Sequence, residues 1–209
     1  MDIEFNPETH RYLLNGRDAP SVTTVLDAEG LAGCGYWKEE HRKRGTAVHD
    51  IVLLLSEKIS GATVEEIVAN SRWEPSLTSP VLVPYGMAAA QYFLDSGLKP
   101  ELVEHVVGST QLQLCGKLDV YGKQPNGKRV LIDFKSGQPQ SAADIQTALY
   151  AFMLEECMGL GTDERACVWL KPDGTYKAYP PRPPGGNDLT IGKAAVWLYH
   201  WREQNGMLG

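Results

Sequence analysis

The chain has 209 residues, 43% of them hydrophobic, and a net charge of −6 at pH 7, enough for one sizeable core and against a nucleic-acid coat or an anionic membrane surface. The absence of any run of about eighteen apolar residues excludes a membrane-spanning helix, and the opening MDIEFNPETHRY has neither the basic nor the apolar region of a secretion signal. Four scattered cysteines, Cys34, Cys115, Cys157 and Cys167, fit reduced thiols in a cytoplasmic protein better than a disulfide framework.

In chain order, IEFN and HRYLLNG predict a short β-hairpin around the PET turn. Ser21 is placed to cap a short helix that ends at Gly30. From Tyr36 to about Ser60 the pattern is helical, interrupted or kinked at Gly45, with an apolar face of Val48, Ile51, Val52, Leu55 and Ile59. Within it WKEEHRKRG gathers Lys38, Arg42, Lys43 and Arg44, which by itself reads as a solvated helix face. A further helix is predicted at Val64–Asn70, then a loop rich in proline, with residues 71–86 either an arch or a surface loop. YGMAAAQYFLDSG predicts a helix stopped by Gly97.

The character then changes to short β-rich segments: ELVEHVVGS, LQLCGKLDVYGK and GKRVLIDFKSG. A strong helix is predicted at Ala142–Met158, and RACVWLKPDGTYKAYP predicts a hairpin around Pro172-Asp173-Gly174. PPRPPGGND reads as a rigid linker, followed by an amphipathic helix at Thr190–Gln204 that carries Trp197 and Trp201. Helices, then an antiparallel sheet, then a helix and more strands predict one α/β domain with a mostly helical N-terminal part. A single domain over 1–209 is expected: a hairpin and helical part over 1–100, a sheet core over 101–180, and a linker with C-terminal helix over 181–209.

The stretch between LQLCGKLDVYGK and GKRVLIDFKSG carries the chemistry. Pro125-Asn126-Gly127 suits a three-residue hairpin loop, with glycine in the left-handed position. That loop pairs Gln124 with Lys128 and sets Asp119 opposite Asp133 and Lys117 opposite Lys135. Leu118, Val120, Val130, Ile132 and Phe134 then share a core face, whereas Lys117, Asp119, Tyr121, Asp133 and Lys135 share the other, with Leu131 as the apolar exception. Two aspartates directly opposite, with Cβ atoms about 4.5–5.5 Å apart, repel each other. Either a surface Asp/Lys network neutralises them or a divalent cation does, and for oxygen donors Mg2+ or Mn2+ is the natural choice. Glu104, on the preceding strand, is either a further acid of the site or an exposed strand glutamate.

Gly116-x-x-Asp119, Asp133-Phe134-Lys135-Ser136-Gly137 and Gln146-x-x-x-Tyr150 resemble the PD-(D/E)xK nuclease superfamily in its RecB-like branch. Gly45-Thr46-Ala47-Val48-His49 looks like that branch's G-T-x-x-H signature. HRYLLNG and APSVTTVL are similar to the entry segment of phage-type exonucleases and of the mitochondrial genome-maintenance exonuclease group. The resemblance runs from about Phe5 to Cys167 and implies a restriction-endonuclease-like α/β fold, a central mixed β-sheet flanked by helices. It implies that His49, Asp119, Asp133 and the main-chain carbonyl of Phe134 bind the divalent metal, and that Lys135 orients or activates the attacking water. Gln146 and Tyr150 would position the lysine and the nucleic-acid backbone, with Ser136 beside them. Without the resemblance, His49 reads as a structural histidine beside an apolar face, and Gln146 as a residue at the edge of its helix's core face.

With that resemblance in hand, Arg42, Lys43 and Arg44 become phosphate contacts leading into the site. The activity implied is a Mg2+- or Mn2+-dependent deoxyribonuclease, an exonuclease acting at DNA ends in recombination, replication or repair, on single- or double-stranded DNA. A phage source and a recombination or replication partner protein would suit it. The alternatives are a structure-specific or single-strand endonuclease on the same site and a non-catalytic DNA-binding module. Some RecB-like nucleases hold an iron–sulfur cluster with one cysteine before the histidine motif and three clustered near the C-terminus. Here Cys34 precedes the motif but no triplet follows, so no cluster is expected.

Overall fold

A computed structural model describes residues 1–32, 45, 82–137 and 140–208. The chain begins with β1 (Ile3–Asn6), β2 (Arg11–Leu14) and β3 (Arg17–Ala19), which pair antiparallel in that order. The expected hairpin therefore gains a third strand, turned at Asn15-Gly16, both with positive φ. Helix α1 (Val22–Ala28) follows, and its Ser21 hydroxyl accepts the Thr24 N–H at 3.0 Å as the predicted cap. Apart from Gly45, which is helical, the helices predicted at Tyr36–Ser60 and Val64–Asn70, and most of the loop after them, lie outside the described residues.

Helix α2 (Val83–Ser96) starts two residues before the predicted onset because Pro84 sits comfortably in a first turn. It stops where Gly97 takes φ +60° and donates its N–H to the Phe93 carbonyl. The main sheet then builds from β4 (Lys99–Ser109), β5 (Leu114–Lys123) and β6 (Arg129–Lys135). Helix α3 (Ala142–Met158), with the bounds read from the sequence, crosses to β7 (Glu164–Leu170), and β8 (Tyr176–Ala178) completes the hairpin at Gly174. The strand order is β4-β5-β6-β7-β8, antiparallel throughout except for the parallel β6–β7 pair that α3 bridges. Helix α4 (Asn187–Gln204) begins three residues earlier than the periodicity indicates. Among the described residues no helix is long and apolar enough to cross a membrane.

Two clusters fill the faces of the sheet. Under α2 lie Phe93, Val120, Ile132, Phe134 and Leu170. On the opposite face α1, α3 and α4 cover Leu118, Tyr121, Leu131, Leu149, Met153 and Val196. The expectation of one core face and one polar face is thus corrected, because Tyr121 and Leu131 lie in the second core. Leu118 is corrected too: it joins Leu131 rather than Val120. The alternation breaks at Asp119 on β5, level with Glu104 on β4, whose φ is +49° between the pairs Val103–Val120 and His105–Leu118. A non-glycine residue held there costs about 1–3 kcal/mol, so the local packing must hold it.

One charge is buried deep. Arg165 on β7 is 1% exposed, and its guanidinium donates to the Pro183 carbonyl at 2.9 Å, the Thr147 hydroxyl at 2.9 Å, the Asp144 carbonyl and the Asp188 carboxylate. It joins the start of α3, the proline-rich linker and the start of α4 to the sheet.

Candidate active site

The three-residue loop is present as read: Gln124 N–H donates to the Lys128 carbonyl, and Gly127 takes φ +86°. The ladder runs Lys123–Arg129, Gly122–Val130, Tyr121–Leu131 and Val120–Ile132. The next step of that register brings Asp119 level with Asp133. Here the Asp119 Oδ2 accepts the Phe134 N–H at 2.7 Å, so a side chain takes over from the backbone ladder. Both aspartates are buried, at 3% and 1% exposure.

Lys135 leaves β6 on the same face as Asp133, two residues on. Its ammonium lies 2.8 Å from Asp133 Oδ2 and donates to the Gln146 side-chain oxygen at 3.0 Å. Gln146 in turn donates through Nε2 to the Tyr150 hydroxyl at 2.9 Å. The two α3 residues are one turn apart, which sets both over the end of β6. Burial by itself would lower the Lys135 pKa, but Asp133 and then Asp119 overcome it and hold the ammonium above its ordinary value. Burial, then Asp133, pushes Tyr150 well above the usual phenol range, so it serves as a neutral hydroxyl.

Gly116 opens the glycine-to-aspartate motif, and its reason is steric. A Cβ at this position would lie 2.6 Å from the Tyr150 ring carbon Cε1. The bare backbone lets the tyrosine ring lie flat on β5 and keep its hydroxyl at Gln146. The sequence marked the glycine but not its partner.

The structure brings Asp119, Asp133, Lys135, Gln146 and Tyr150 into one connected group. Phe134 separates Asp133 from Lys135, its ring in the α2 cluster against Tyr92 at 5.6 Å. Ser136 follows in the bend that ends β6. His49, Arg42, Lys43 and Arg44 lie outside the described residues. Glu104 forms an ion pair with Lys117 at 2.5 Å, its side chain 9% exposed, so it is not the exposed strand glutamate of one reading. Cys115, Cys157 and Cys167 are free thiols. Residues that sequence reasoning missed include Arg165 and Asp144; an arginine near the start of a strand reads as an edge charge, and its partners on α3, in the linker and at the start of α4 are distant in the chain.

Among the described residues the two buried carboxylates lie beside the Lys135 ammonium, and the donors they offer are all oxygen. That donor set fits a hard divalent cation. Asp119 and Asp133 would supply the side-chain oxygens. Among the described residues no three His, Cys, Asp or Glu side chains gather as ligands; the further expected side-chain ligand, His49, lies outside them.

Fold and site together define a restriction-endonuclease-like α/β protein, with a five-stranded mixed sheet between helices. The family model of the PD-(D/E)XK nuclease superfamily matches residues 28–178, and the chain belongs to that superfamily. Its members act on DNA and use divalent metal ions, usually Mg2+ or Mn2+. The solved structure of SSO0001 is 15% identical over 72% of this chain and 74% of its own, with a TM-score of 0.36. LHK-Exo in complex with dAMP is 13% identical over 82% of this chain and 100% of its own, with a TM-score of 0.40. No curated protein matches the chain.

Proposed function

We propose that the protein is a Mg2+- or Mn2+-dependent DNA exonuclease of the RecB-like branch, akin to phage-type and mitochondrial genome-maintenance exonucleases, acting on DNA ends in recombination, replication or repair. Its setting is cytoplasmic, with DNA as substrate and a recombination or replication protein as its partner. The observation that carries the reading is the buried Asp119–Asp133 pair with Lys135 held between Asp133 and Gln146. The exonuclease assignment rests on the order of the sequence motifs.

The residues divide the work. Asp119, Asp133, the Phe134 carbonyl and His49 hold the cation. When bound, the cation lowers the pKa of water and stabilises charge that develops on the phosphate. Lys135, kept protonated by its carboxylate neighbours, donates hydrogen bonds: it orients the water for in-line attack and meets negative charge on the phosphate oxygens. Gln146 fixes where the ammonium points, and Tyr150 fixes Gln146. Ser136 and the basic residues Arg42, Lys43 and Arg44 bind the backbone of the strand.

The test is cleavage of end-labelled linear DNA, single- and double-stranded, with Mg2+, Mn2+ or EDTA. Metal-dependent shortening from one end, lost in Lys135→Ala, is the expected result. Cutting of circular single-stranded DNA would turn the reading to an endonuclease. No cutting of any substrate by the wild-type protein would remove the catalytic reading.

A further inference from the structure

Next to the acid–lysine group, on the same face of the sheet, lies a cleft of about 360 Å³, within the roughly 300–1,000 Å³ of small-ligand sites. Trp169 and Tyr179 form its aromatic wall, Pro180 and Pro181 its rim, and Ser141 and Arg182 its polar end. The two rings meet edge to face, with centroids 4.7 Å apart. Tyr179 is half-buried, and Lys177 sets its ammonium 4.6 Å from the centre of that ring. Arg182 is held across the cleft by Asp144 at 2.9 Å, and half of its side chain stays exposed.

The position of this cleft decides its occupant. Trp169 is the registered partner of Lys135, as Cys167 is of Asp133, in the parallel β6–β7 pair. Registered partners in a ladder point to the same face, and adjacent strands are about 4.8 Å apart. The start of α3, at Ser141 and Asp144, lines the cleft, and the same helix carries Gln146, which holds Lys135. A strand cut at Lys135 therefore passes the mouth of the cleft with its neighbouring nucleotide.

The lining matches a nucleotide in both of its parts. The half-buried Tyr179 ring, with buried Trp169 packed edge to face on it, and the exposed Pro180 and Pro181 rings take a base of any identity by stacking. Arg182, paired with Asp144 at 2.9 Å and 3.6 Å from Asp188, and Lys177, over the Tyr179 ring, supply cations beside that surface for a sugar-phosphate. Gln140, Ser141 and Asp144 add donors and acceptors for a base edge.

We infer that the Trp169–Tyr179–Arg182 cleft binds the nucleobase of the nucleotide adjoining the bond that is cut, and the free nucleoside monophosphate after cutting. This rests on the nuclease reading above and adds a base-holding subsite to it. None of the acid–lysine residues belongs to the subsite.

The test separates the two. Full-length protein in EDTA is titrated with thymidine 5′-monophosphate, with deoxyribose 5-phosphate and with inorganic phosphate. The indole N–H resonance of Trp169, assigned with Trp169→Phe, is the readout. Thymidine monophosphate is expected to move that resonance, and Tyr179→Ala to weaken the binding by roughly tenfold or more, whereas Tyr179→Phe keeps it. Under turnover, Tyr179→Ala is expected to raise KM for DNA more than it lowers kcat. An unmoved Trp169 resonance, equal binding by Tyr179→Ala, or equal response to inorganic phosphate overturns the subsite, even if the protein cuts DNA. Binding in the cleft by a protein that cuts no DNA overturns the nuclease reading and leaves a nucleotide site.

Discussion

Gln146 stands between Lys135 and Tyr150, accepting from the ammonium at 3.0 Å and donating to the phenol at 2.9 Å. One amide thus sets the direction of the lysine. Gln146→Ala should leave the ammonium on Asp133 alone and slow cleavage by about 100-fold, the scale of an ångström's misplacement. Tyr150→Phe should cost less, because the amide keeps the lysine. Steady-state rates on labelled DNA, with KM little changed, check both; equal rates in Gln146→Ala and wild type would refute the positioning role.

Asp133→Asn should uncouple stability from metal. In EDTA the variant should melt close to the wild type, since the repulsion from Asp119 is lost together with the Lys135 ion pair. Wild-type protein at about 100 times the dissociation constant of Mn2+ should gain about 2.7 kcal/mol, and the variant should gain little. Thermal melts with and without Mn2+ decide it; an equal shift in both would place the cation elsewhere.

Gly116→Ala should push on the Tyr150 ring, whose Cε1 lies 2.6 Å from the new Cβ position. A loss of about 1–3 kcal/mol is expected, with a fall in activity. Combining it with Tyr150→Ala should add nothing further to the destabilisation of Tyr150→Ala alone, a coupling that denaturant titrations of the four proteins would measure.

Glu156 at the end of α3 accepts from the Ser109 hydroxyl and from the Thr110 and Gln111 amides. Burial pushes its pKa up, but these bonds outweigh it and hold the carboxyl below the ordinary 4.5. The folded value is depressed, so the stabilisation is present above 4.5 and is lost as the pH falls through the folded value. Glu156→Gln should therefore cost about 2 kcal/mol at neutral pH and progressively less in acid. Unfolding free energies across that range test it, and a constant difference would contradict the assignment.

Much of the candidate site's geometry was legible because turn chemistry and strand parity are local. Pro125-Asn126-Gly127 allowed one register that kept Val120, Ile132 and Phe134 together, and that register sets Asp119 beside Asp133. The Gln146–Tyr150 spacing was legible for the same reason, being one turn of a helix whose bounds the sequence marked. What failed was long-range. Leu131 and Tyr121 read as exceptions on a polar face because nothing in their own strands shows that α3 folds back over them. Leu118 changed faces at the break by Glu104, and no propensity announces a positive φ at a glutamate. The aromatic cleft was illegible because Trp169 meets Lys135 only through a parallel pairing across a helical crossover.

Arg165 gives the molecule a lock with parts from distant stretches of chain. Its acceptors lie on α3, in the linker and at Asp188, while its own strand lies against the one that carries Asp133. A guanidinium cannot shed its charge, and stripping a buried one of its partner costs about 3–5 kcal/mol. Cutting the chain back past Pro183 would leave that debt inside the sheet, one strand from the acid pair. Helix α4 is thus a keystone: Asp188 at its start supplies the carboxylate for a buried charge that sits one strand from the acids.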